Sequence, residues 1–282
     1  MQWSGRRESS NVDDRRGITG GHVAVGGGLI GVIFLLAKFL LGGGDVSDLQ
    51  QTFPPEQQQE MTAEQKAADD QEAAFVKVVL ADTEDVWSKI FGDMGRNYSE
   101  PTLVLFRDET TSGCGGASSA SGPFYCPVDH DVYIDLSFAR ELKERFNASG
   151  DFAMAYVIAH EVGHHVQYLL GITQKMDRIR QQVSEGEYNK YSVRLELQAD
   201  FYAGVWAHYD QKMKNVIDPN DISEALNAAN AIGDDRLQRE AQGTVTPDAF
   251  THGTSAQRMY WFKKGFETGD INQGDTFAEG AL

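Results

Sequence analysis

Cysteine is scarce in this 282-residue chain, with only Cys114 and Cys126, twelve positions apart across a Gly- and Ser-rich stretch. Such a pair either closes one small loop as a disulfide or stands as two unrelated buried thiols, and the redox compartment decides between them. Positive charge is short as well. Lys and Arg number 25 against 42 Asp and Glu, a formal net charge of -17, and no basic stripe offsets it. So acidic a surface repels phosphate backbones, which speaks against a nucleic-acid partner. Residues 113–122 are rich in Gly but lack a following Gly-Lys-Ser/Thr, so they do not read as a phosphate loop. No internal repeat is evident. The hydrophobic content of 41% and charged content of 24% are those of an ordinary globular chain, long enough to bury a substantial core.

Long apolar runs are confined to one place. Residues 23–41 read VAVGGGLIGVIFLLAKFLL, with Lys38 near one end as the single charge. As a helix they extend about 28 Å, against roughly 30 Å of bilayer hydrocarbon, and the Lys38 stem can snorkel to the headgroups. A secretory signal is the competing reading, but its apolar region runs about 7–15 residues before a small-residue cleavage site. Here the run is longer and ends in three glycines, so an uncleaved anchor is expected. Arg6, Arg7, Arg15 and Arg16 precede it and Asp45 and Asp48 follow. That bias predicts a cytoplasmic segment over 1–22, a single crossing over 23–41, a hydrated Gln/Glu/Asp-rich tether over 42–72 and an extracytoplasmic domain over 73–282. An oxidising location turns the cysteine pair into an expected Cys114–Cys126 disulfide.

Within the outer part, three- and four-residue apolar spacing predicts a helix over about 62–94, and short apolar runs predict strands at 103–106 and 132–134. Further helices are expected over 137–146, 151–170, 187–214, 221–241 and 254–267. The fold class is therefore mainly α with a small β-sheet, an α+β domain. The strand at 132–136 reads equally as a sheet edge able to align an extended peptide and as an internal strand. Trp87, Trp206, Tyr209 and Trp261 fall at helical core positions.

His160-Glu161-Val162-Gly163-His164 carries the chemistry. Two histidines four apart on a helix lie about 40° apart on one face, a spacing at which both imidazoles reach one zinc ion. Glu161 shares that side and can take a proton from a water on the metal without binding the metal itself. His165 lies about 140° from His160 and falls outside the ligand set. A third ligand comes from a second helical stretch, where Glu196 and Asp200 are also four apart; one carboxylate can bind zinc while the other orients a ligating histidine.

HEVGHHVQ together with ELQAD resembles the glutamate-zincins. More narrowly, WSGRRESSNVDDRRG, GPFYCP, VYIDLSF, the GDFA stretch leading into AYVIAHEVGHHVQ, ALNAANAIGDDRLQ and FTHGTSAQR resemble the YpfJ-type neutral zinc metallopeptidases of bacteria over nearly the whole chain. The resemblance implies a zincin-like domain with His160, His164 and Glu196 as zinc ligands, Glu161 as general base and Asp200 behind the ligands. It also suggests His252 and Arg258 as a pair that stabilises the oxyanion, the alternative being a polar cluster at the start of the last helix. Members often carry one cysteine directly after Ala-Asp and another near the C-terminus, where this chain has Phe201 and Gly274; that departure puts the rigidity of the C-terminal tail in doubt. The expected activity is that of a membrane-anchored zinc endopeptidase acting on peptides or proteins. Its rivals are a zinc-structured envelope adaptor without turnover and a zinc hydrolase of a non-peptide amide.

Overall fold

The computed structural model of the chain describes residues 1–17, 62–144, 148, 150–242, 245–246 and 250–281. The expected membrane crossing at 23–41 lies outside these; among the described residues no helix is long and apolar enough to span a bilayer. Residues 1–16 and 69–282 form one compact unit and residues 17–68 another. In the second, the described part is the start of helix α1 (Ala63–Asp93), where Thr62 and Gln65 cap each other reciprocally.

The main unit holds a four-stranded sheet against a set of helices. In chain order its strands are β1 (Val12–Asp14), β2 (Thr102–Phe106), β5 (Phe124–Cys126) and β6 (Asp131–Asp135), and a separate hairpin is made by β3 (Glu109–Ser112) and β4 (Gly115–Ser118). The sheet order is β1-β2-β6-β5, with β5 antiparallel to β6 and the other pairs parallel. The edge reading of residues 132–136 is thereby set aside, because β6 lies between β2 and β5, and the edge strands are β1 and β5. Leu103, Leu105, Val132 and Ile134 are fully buried on the helix side of the sheet. The Cys114–Cys126 disulfide ties the β3–β4 turn to the end of β5, with Cα atoms 5.9 Å apart. The hairpin escaped sequence reading because its Gly- and Ser-rich strands carry little apolar alternation.

β1 joins the first residues to the main unit. Val12 to Asp14 pair in register with Leu103 to Leu105, and the first residues run along α1. Arg6 binds Asp82 at 2.5 Å, Arg7 binds Glu84 at 2.9 Å and Asp85 at 2.7 Å, and Arg16 binds Asp69 at 2.6 Å. Asn11 and Ser9 add hydrogen bonds to Glu84. The arginines that read as a cytoplasmic flank are therefore ties that fasten residues 1–16 to the domain. A single crossing between Arg16 and Asp69 would put these partners on opposite sides of a membrane.

Among the described residues seven more α-helices follow: α2 (Ser137–Glu144), α3 (Asp151–Leu169), α4 (Ile172–Arg180), α5 (Glu185–Lys214), α6 (Asp221–Ala231), α7 (Asp234–Gln242) and α8 (Ser255–Thr268). The single helix expected over 221–241 is broken between α6 and α7. A Cβ at Gly233 would lie 2.5 Å from the Ser255 backbone nitrogen, so the start of α8 docks where a continuous helix would run. α5 and α8 cross at Gly204 and Gly265, where any Cβ would strike the opposite backbone at 2.0–2.1 Å. The two positions at which cysteines are missing are neighbours: a Cβ at Gly274 would lie 2.4 Å from the Phe201 ring. The ring fills that space, and the tail is held instead by Gln198 Nε2 on the Gly274 carbonyl at 2.8 Å and Thr276 Oγ1 on the Arg194 carbonyl at 2.6 Å.

Candidate metal centre

α3 carries His160, Glu161 and His164, and α5 carries Glu196 and Asp200. The helices meet at Gly163, where an added Cβ would lie 3.0 Å from the Ala199 carbonyl oxygen and 3.2 Å from its Cα. The glycine between the histidines thus lets the two backbones approach closely beside the ligand set. His160 Nε2 lies 3.1 Å from Glu196 Oε2, and His164 Nε2 lies 3.5 Å from Glu196 Oε1. Tetrahedral zinc with bonds near 2.0–2.1 Å needs donor atoms roughly 3.3 Å apart, so these three side chains fit the ion. Among the described residues the set has three members, His160, His164 and Glu196.

Each ring nitrogen facing away from that centre has a partner. His160 Nδ1 lies 2.9 Å from Asp200 Oδ1, and His164 Nδ1 lies 2.9 Å from Gln167 Oε1. Gln167 is itself fixed, donating to the Leu195 carbonyl at 2.7 Å and to Gln198 at 3.1 Å. Both histidines are therefore set to hold Nδ1–H and offer the Nε2 lone pair. Asp200 is fully buried and also accepts the Tyr156 hydroxyl at 2.5 Å and Arg258 Nε and Nη2 at 2.8 and 3.0 Å. Burial opposes its ionisation, yet the Arg258 guanidinium and the His160 ring outweigh burial and hold the Asp200 carboxyl down at about 2.

Arg258 borders the cleft over the metal centre, and its guanidinium is bound largely behind His160. It is buried, with Nε and Nη2 on Asp200, Nη2 also on the Tyr156 hydroxyl at 3.1 Å, and Nη1 on the Ile232 carbonyl at 3.3 Å. Nε and Nη2 serve the support behind His160, while Nη1 holds the end of α6. Sequence spacing did not single out Tyr156, which belongs to that support, or Gln167, which supports His164; Tyr156 sits one turn before His160 on the same face, the only local signal it carried.

A cleft of about 480 Å³ opens over the centre, lined by His160, Glu161, His164 and Glu196 and walled by Phe124, Tyr125, Phe138, Val157 and Leu237. Glu161 is buried, which pushes its carboxyl up from the ordinary range although the neighbouring histidines pull it back. His252 borders the same cleft, half exposed. His165 does not: its Nε2 lies 2.6 Å from the Ser99 carbonyl oxygen and its Nδ1 3.2 Å from the Tyr125 hydroxyl, pinning α3 to β5.

Burial lowers the His165 ring to about 4 from an ordinary 6.5. Below pH 6.5 the unfolded chain takes a proton there that the folded chain refuses. Stability present above that pH is therefore lost as the pH falls towards 4, by about 3 kcal/mol. His165→Phe should flatten the fall of melting temperature between pH 6.5 and 4; an unchanged slope in that variant would contradict this.

Two helices converge on a His-His-Glu set with a carboxylate beside it, a donor set suited to a zinc ion. The chain belongs to the family described as "Putative neutral zinc metallopeptidase", whose model matches residues 1–277. It is 50% identical to "Uncharacterized protein YpfJ" of Escherichia coli strain K12, covering 99% of both chains. It is 43% identical to an "Uncharacterized protein" of Mycobacterium bovis over 74% of this chain and 73% of that one. No solved structure matches it.

Proposed function

We propose that the protein is a zinc endopeptidase. The observation that carries this is the convergence of His160, His164 and Glu196 on one point with Glu161 beside them at the floor of a cleft. His160, His164 and Glu196 would hold a zinc ion there, which would supply Lewis acidity to the reaction. Glu161 takes the proton from the attacking water and returns it to the leaving amine, a task suited to a carboxyl raised by burial. His252 donates to the carbonyl oxygen as it becomes negative, while Arg258 acts through Asp200 to hold His160. Against the adaptor alternative stands Glu161, since a structural site needs no base and fills all four positions with protein. Digestion of a peptide library by the full-length protein separates these readings. Cleavage stopped by a chelator and restored by zinc is expected; bound zinc with no cleavage under any condition would favour the adaptor, and cleavage of non-peptide amides alone the third reading.

The domain is proposed to work in an oxidising, extracytoplasmic compartment, membrane-associated through residues 23–41. Its disulfide supports the compartment. Because β1 pairs with β2, residues 1–16 belong on the same side as the metal centre. Epitope tags at the N-terminus and in the domain should both yield to protease added outside intact spheroplasts. A protected N-terminal tag beside a digested domain would restore the single crossing and break the sheet assignment.

A further inference from the structure

Near the cleft, the α6–α7 junction and the turn before α8 hold each other. Asp234 donates its backbone N–H to the Gly253 carbonyl at 2.9 Å. One of its carboxylate oxygens, Oδ2, accepts the backbone N–H groups of Thr251 at 2.7 Å, His252 at 2.6 Å and Gly253 at 3.1 Å. The other, Oδ1, lies 3.2 Å from His252 Nδ1, which also meets Thr251 Oγ1 at 2.9 Å. The next residue, Asp235, fastens the same turn from its far side by accepting Ser255 N–H and Oγ–H at 2.8 and 2.9 Å. Gly253 closes the turn at a φ of 91°, a left-handed conformation open to glycine. Three backbone donors would suffice to cap a turn. The second oxygen does something further, because it reaches the ring that borders the cleft.

We propose that Asp234 is a positioning residue for the reaction, fixing the 251–253 turn with one oxygen and the His252 ring with the other so that Nε2 is held as a donor to the substrate carbonyl oxygen. The inference rests on the peptidase reading and deepens it. With Nδ1 engaged by Asp234, only a doubly protonated ring donates from Nε2. Asp234 and, from α5, Glu196 favour that form, while burial and the Arg258 guanidinium oppose it; the balance raises the ring above its ordinary value. A carboxylate behind an imidazole thus does for the oxyanion what Asp200 does for a metal ligand: it sets which nitrogen carries the proton and where the ring points.

Asp234→Asn in the full-length protein tests this. Its carbonyl oxygen can still take the three backbone N–H groups, but its amide cannot receive a proton from Nδ1. Zinc content should stay at the wild-type level, kcat should fall about 10²-fold with KM within about twofold, and the alkaline limb of the pH profile should move to lower pH. His252→Ala should lose as much, and the double variant no more. Wild-type kcat and pH profile in Asp234→Asn would overturn the inference. A second readout needs neither turnover nor the variant's folding: NMR of the His252 ring in wild-type protein should show Nδ1 protonated and hydrogen-bonded to a carboxylate. An Nδ1 without that proton would overturn the inference even in a protein that cleaves peptides. If the protein cleaves nothing, the peptidase reading falls and this tautomer measurement alone decides the Asp234–His252 coupling.

Discussion

Glu161→Gln is expected to keep one zinc per chain and lose turnover by roughly 10²–10⁴-fold. The substitution removes the proton acceptor and preserves side-chain volume. Glu161 is absent from the set of converging ligand atoms, so metal affinity should hardly change. Burial raises its carboxyl above the ordinary range although His160 and His164 pull it back, which makes it a stronger proton acceptor than an exposed carboxylate. Steady-state cleavage of a fluorogenic peptide and zinc analysis of the same sample check both halves. Wild-type turnover would refute the general-base role; loss of zinc would mean that the carboxylate binds the metal.

Arg258→Met separates support from catalysis by its effect on stability. Removing the guanidinium leaves the fully buried Asp200 carboxylate without its cation, a loss of about 3–5 kcal/mol. For a domain of this size that is a fall in melting temperature of about 6–20 °C. Zinc affinity should weaken about 10–100-fold as His160 loses its orientation. Lysine should rescue little, because one ammonium cannot replace Nε and Nη2 on both oxygens of Asp200. Thermal unfolding and zinc titration read these effects. Wild-type stability and affinity with only kcat reduced would return Arg258 to the oxyanion.

The difference between what was legible in the sequence and what was not follows the range of the interactions. His160, Glu161 and His164 are related by helical geometry alone, and Glu196 and Asp200 by the same geometry on a second helix, so spacing sufficed for each pair. That the pairs share one centre needed the close approach of α3 and α5 at Gly163, which no local pattern encodes. Gln167, Tyr156 and Asp234 act through partners 28 to 102 residues away or through a turn formed only on folding. The contacts of the N-terminus were the least legible. Arg6, Arg7 and Arg16 read as a charge bias beside an apolar run, whereas their carboxylate partners lie on α1, which the chain reaches only after that run. Val12-Asp13-Asp14 is too short and too acidic to read as a strand, and its place in the sheet is set by backbone pairing to β2. The helical domain and its small sheet were otherwise expected from periodicity, because long helices repeat their apolar pattern often enough to be recognised.

Everything above depends on zinc at His160, His164 and Glu196, and metal content tests that most directly. The full-length protein, purified without chelator, should carry one zinc per chain by elemental analysis, and Glu196→Gln and His164→Ala should each lose it while remaining folded. One zinc retained in both variants, or none taken up by the wild-type protein from zinc-containing buffer, would contradict the account.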